Sequence, residues 1–228
     1  MENVERYRES LRALQDWVPL LLAESGLPGP RANLALVRAA AEEADERRLV
    51  RLAESDEEFL VMCGAVGLGR LVADGNRRHL VPLRELAGDR RWRVREAVAM
   101  ALQRWGDDDF SAMAAEAERW ADGSPLEQRA AVAGLCEPRL LREPEAAQRA
   151  LAVVERVTAS LPRSRDRVLR QALGYCWSVA VAADPEEGLK RFERLERSDD
   201  PDLRWVAREN PKKARLARLA RTPSRRRR

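Results

Sequence analysis

Apolar and polar positions return along this chain in a fixed order about every 34 residues. Five copies start at Ser55, Asp89, Gly123, Ser164 and Ser198, with steps of 34, 34, 41 and 34 residues. Six places after each start stand Val61, Arg95, Arg129, Arg170 and Arg204; nine places after stand Gly64, Val98, Val132, Leu173 and Ala207. Ser, Asp and Gly suit the start of a helix, where they satisfy or leave open the unpaired first-turn amides. At about 100° per residue, offsets 5, 8, 9, 12 and 13 gather on one side, mostly Leu, Val, Ala and Cys. Offsets 3, 7, 10 and 14 lie opposite, and the Arg column falls on the flank.

The pattern between the copies supplies a partner helix for each. Partner helices are predicted at 46–54, 77–87, 109–121, 144–160 and 186–197, with the seven extra residues of the long step lengthening the 144–160 helix and its loop. Upstream, Val4, Tyr7, Leu11, Leu14, Val18 and Leu21 predict one amphipathic helix over 2–25, and a second helix follows at 31–44. Pro211 is expected to break the last repeat helix and leave a short basic helix to about Leu219. The organisation expected is therefore capping helices at 1–44, repeats at 45–219 and a disordered basic tail at 220–228. A period of this length signals stacked helical pairs that bury a continuous seam.

The copy with Asp89, Val94 and Arg95 resembles the HEAT repeat. That resemblance implies an all-α fold, a right-handed α-α superhelix (solenoid) of about five HEAT-like hairpins with an N-terminal helical cap. It also implies a structural ladder between repeats, which falls on Asp89, Arg95, Arg129, Arg170 and Arg204. The other copies depart from the pattern. Val61 replaces the Arg, Gly123 replaces the Asp, and the last two copies have serines with Asp166 and Asp200 two residues on. The resemblance spans about residues 45 to 211.

Composition agrees with helices, since 45% of residues are apolar, 35% are charged, and Ala, Leu, Glu and Arg dominate. The net charge of +4 hides an asymmetry: Lys212, Lys213, Arg215, Arg218, Arg221 and Arg225 to Arg228 follow Pro211 with no acid among them. Cys63, Cys136 and Cys176 fall on the apolar side, and without a CxxC pair they predict buried thiols and a reducing, cytoplasmic setting. The longest apolar run, Trp17 to Ala23, is interrupted by Pro19, so neither a leader nor a membrane span is expected.

Candidate chemistry lies opposite the apolar side. Trp92, Glu96, Ala99 and Gln103 occupy that face in the second copy, Arg167, Gln171, Gly174 and Ser178 in the fourth, and Pro201, Trp205, Arg208 and Lys212 in the fifth. Exposed rings beside cations suit stacking on a base or packing on a partner helix. The candidate binding residues are Arg91, Trp92, Arg93, Arg167, Trp205, Arg208, Lys212 and Lys213, acting in a concave groove on a protein or a nucleic acid. The small residues Ala65, Ala99, Ala133 and Gly174 allow an open groove or tight helix packing equally. Trp17, Trp105, Trp120 and Trp177 read as core.

Alkylpurine DNA glycosylases of the DNA alkylation repeat type are likewise built from HEAT-like pairs, and this chain is distantly similar to them. The similarity implies a basic, aromatic DNA-binding surface and an essential carboxylate, for which Glu96 beside Trp92 and Glu209 beside Trp205 are weak candidates. His79 is the only histidine, no P-loop is present, and Gly64, Gly67 and Gly69 keep helical register, so metal, cofactor and histidine chemistry have no support. The expectation is a non-enzymatic repeat scaffold that binds a macromolecule, with the glycosylase as the alternative.

Overall fold

The computed structural model describes residues 2–221, so most of the tail expected at 220–228 lies outside the described residues. Among them the fold is all-α and built of helical hairpins, with no strand. The chain forms two compact units, residues 1–109 and 110–228.

In the first unit, α1 (Glu2–Arg12), α2 (Val18–Ala23), α3 (Leu34–Glu43) and α4 (Glu46–Ala53) precede the central helix α5 (Glu58–Ala73). A 3-10 turn at Arg77–His79, α6 (Leu80–Leu86) and α7 (Trp92–Asp108) complete it. α5 packs on α3, α4 and α7 and is buried continuously from Phe59 to Gly69. The single helix expected over 2–25 is divided here. Pro19 offers no N–H and sits in the first turn of a new helix, α2, where none is required. Asp16 Oδ1 accepts the Val18 amide at 3.1 Å, and Trp17 turns into the core with its indole N–H on the Leu14 carbonyl at 3.1 Å.

The second unit contains α8 (Phe110–Trp120), α9 (Pro125–Leu135), α10 (Pro144–Ser164), α11 (Arg167–Ala183), α12 (Pro185–Glu196), α13 (Pro201–Glu209) and α14 (Ala214–Arg221). A 3-10 turn at Asn210–Lys212 joins the last two. α11 is the central helix, packed on α9, α10, α12, α13 and α14. α10 takes up the extra residues of the long repeat and ends at Arg165, whose φ of 51° is left-handed. Pro211 does end α13, and α14 then runs to Arg221.

The residues heading the five copies lie before the helices. Ser55, Asp89, Ser164 and Ser198 each accept, through the side chain, the amide two residues on, at 3.1, 2.7, 3.5 and 3.2 Å. Helix capping passes to later residues: Asp166 Oδ1 accepts the Leu169 amide at 2.7 Å, and Asp200 Oδ1 accepts those of Asp202 and Leu203 at 2.9 and 3.1 Å. In the copy with Gly123, Ser124 and Glu127 form a reciprocal capping box. The column therefore marks turns that aim the chain into each helix, and the helices start one or two residues later than expected.

Tryptophans 17, 105, 120 and 177 and all three cysteines are buried. The small column also closes by packing. Ala65 and Ala99 are buried, and a Cβ on Gly174 would stand 2.8 Å from the Trp205 ring. Gly174 and Ser178, expected on an open face, are covered as a result.

Candidate functional site

In the first unit the turn before α7 is held by its own arginines. The Asp89 carboxylate accepts Arg91 Nε at 3.0 Å and Nη2 at 2.7 Å, and Arg91 also donates to the Asp56 carbonyl at 2.8 Å. The Arg91 guanidinium holds the Asp89 carboxyl below the usual carboxylate range. Arg95 donates instead to the carbonyls of Asp89 and Arg90, at 2.6 and 3.0 Å. The Asp89 carboxylate thus serves Arg91 within its own copy, where the resemblance implied a ladder between repeats.

Arg93 is likewise committed, to Glu58 at 3.2 Å and to the Gly29 carbonyl at 3.0 Å, with its guanidinium carbon 4.5 Å from the centre of the Trp92 ring. Trp92 remains 53% exposed. Glu96, one turn along α7, is also exposed. Arg91 and Arg93 are therefore braces beside an open indole, with their charges largely answered.

The second unit distributes its groups differently. Arg170 reaches Asp202 at 2.6 Å, Arg165 reaches Asp200 and Asp202 at 2.9 Å each, and the two arginines hold the Asp202 carboxyl low. Arg170 also lies 4.9 Å from the centre of the Trp205 ring. Trp205 is half-buried, so the expected exposed ring is instead a cover over Gly174. Of the remaining ladder residues, Arg129 is buried and Arg204 is exposed. The α11 to α13 link is Arg170 with Asp202, an acid outside the repeat column.

The open ring of this unit is Tyr175, 43% exposed, which sequence reasoning missed. Arg215 of α14 stands over it at 5.2 Å and donates from Nη2 to its hydroxyl at 3.0 Å. Tyr175 sits eleven places into its copy, off the face assigned to ligand. A spacing of four from Arg167 through Gln171 to Tyr175 is the signal that could have found it. All three are exposed and so form one stripe along α11.

Arg208 is exposed and Lys213 half-buried, and neither shares a carboxylate with another group among the described residues. Lys212 is paired with Glu209. Residues 110–228 hold 25 of the 42 cations and 18 of the 38 acids, and nine of those cations follow Pro211. Among the described residues no cluster of His, Cys, Asp and Glu could hold a metal ion, and no helix is long and apolar enough to cross a membrane.

No protein-family model matches this chain, and no curated protein matches it. Among solved structures, an engineered protein aligns over 96% of this chain and 97% of its own at 18% identity, with a TM-score of only 0.37. AlkD2 from Streptococcus mutans aligns over 86% of this chain and 96% of its own at 17% identity, with a TM-score of 0.68. The all-helical hairpin fold of this chain is therefore similar to that of AlkD2.

Proposed function

We propose that this chain binds nucleic acid without acting on it, and that its second unit supplies the main contacts. The observation that carries this reading is the stripe Arg167, Gln171 and Tyr175 on α11, extended by Arg215 of the basic segment that follows Pro211. An exposed ring held by a guanidinium stacks on any base, because every base has a π face. Arg167 and Arg208, which have no carboxylate partner among the described residues, suit phosphate oxygens, and the amide of Gln171 offers both a donor and an acceptor. Trp92 gives the first unit a ring of the same kind, braced by Arg93.

The fold, similar to that of AlkD2, is compatible with this reading and with the resemblance of the repeats to the DNA alkylation repeat type. A neutral or basic partner protein would explain the rings but would have no use for the cations beside them. Removing the ring while keeping the cations tests the reading. Tyr175→Ala is expected to weaken binding of a fluorescein-labelled single-stranded oligonucleotide about 5- to 150-fold, the loss of about 1–3 kcal/mol per stacked base. Unchanged affinity in that variant rejects the stripe as the site.

A second reading, removal of an alkylated base with Glu96 as the acid, is favoured by the exposure of both Trp92 and Glu96 one turn apart on α7. Glu209, half-buried and paired with Lys212, is the less exposed candidate. Base release by the full chain that disappears in Glu96→Gln supports this second reading, and no release at all removes it.

A further inference from the structure

Within the first unit, α4 and α6 both pack on α5, and α6 has only seven residues with Pro82 near its start. Between them opens a cavity of about 540 Å³, floored by Leu68 of α5 and walled by Val50, Pro82 and Leu86. A volume of that size is typical of small-molecule sites. The proposed nucleic-acid contacts leave it unused.

The charges at its border fall into two sets. Arg78 and His79 are both committed to Glu46, which also takes the Asn76 amide, and Asp89 is committed to Arg91. Glu54 and Glu85 are exposed at the rim, and among the described residues neither carboxylate has a hydrogen bond or ion pair. The basic groups are thus answered from within the protein, while two acids are left open beside an apolar floor. Such a surface repels anions, gives a neutral ligand only apolar contact, and gives a cation both apolar contact and attraction.

We propose that this cavity binds a small organic cation, an ammonium or guanidinium head on an aromatic or aliphatic body. The head meets Glu54 and Glu85, and the body covers Leu68 and the side chains around it.

The test uses the full chain and three probes of one shape: tryptamine, tryptophol and indole-3-acetate, which are cationic, neutral and anionic at neutral pH. Methyl NMR follows Val50, Leu68 and Leu86. Tryptamine is expected to shift these methyl signals saturably, to bind at least tenfold more tightly than tryptophol, and to leave indole-3-acetate without measurable binding. The double variant Glu54→Gln, Glu85→Gln is expected to keep the unperturbed methyl spectrum and to lose at least tenfold in tryptamine affinity. Equal affinity for tryptophol, undiminished affinity in the double variant, or tryptamine shifts confined to residues outside the cavity each overturn the proposal.

Discussion

Replacing Gly64 with valine is expected to destabilise the first unit by about 3 kcal/mol or more, the upper end for overpacking a close-packed interior. A Cβ at this position would stand 2.3 Å from the Ala53 amide nitrogen and 2.6 Å from Ala53 Cα. These are backbone atoms of the last turn of α4, so no rotamer change relieves the clash. α4 must move off α5, which uncovers Leu49 and Leu52. Gly67 provides the control. Its Cβ would come still closer, 2.0 Å, but to the side chain of Leu49, which can shift more readily than backbone. Hydrogen exchange of α4 and α5 amides should therefore collapse in Gly64→Val and change far less in Gly67→Ala. A Gly64→Val protein with normal protection in α5 would show that the helices are not in this contact.

Asn210→Ala should cost the second unit about 3 kcal/mol, because it removes three buried hydrogen bonds to backbone groups at about 1 kcal/mol each. Asn210 is fully buried. Its amide nitrogen donates to the carbonyls of Leu173 and Val206 at 3.0 and 2.9 Å, and its oxygen accepts the Ser178 N–H at 2.8 Å. One side chain thus joins the end of α13 to two points on α11, and Tyr175 lies between those points. The variant is expected to lower the urea midpoint without a change in slope and to loosen the placement of Tyr175 under Arg215. An unchanged midpoint would mean that water replaces the amide at no cost.

The helices were readable because apolar periodicity and turn residues act locally. The heads of the copies, Pro211 and the loop near Gly123 each mark a boundary through their own backbone chemistry. Errors arose where a residue does two jobs. Pro19 looked like an interruption within one helix, yet it starts α2, because a proline at the first turn forfeits no hydrogen bond. Asp89 was expected in a ladder between repeats, but Arg91, two residues away, reaches its carboxylate with less chain to order.

The candidate site was less readable, because exposure depends on neighbours that a single helical wheel does not contain. Trp205 and Tyr175 exchange roles for this reason. The absence of a side chain at Gly174 draws the Trp205 ring onto α11, while Tyr175, one residue later, points clear of it. Cations counted from sequence also say little until their acids are placed. Arg91, Arg93 and Lys212 are answered, whereas among the described residues Arg167 and Arg208 are not.

The central claim is that the second unit holds a nucleic-acid backbone with cations and a base with a ring. Affinity of the full chain for a single-stranded oligonucleotide, measured between about 50 and 200 mM salt, tests it most directly. Binding should weaken steeply over that range, and Arg167→Ala should reduce the slope of log affinity against log salt by about 0.7, one single-strand phosphate contact. Binding that ignores salt, or an Arg167→Ala slope equal to that of the unaltered chain, would contradict the account.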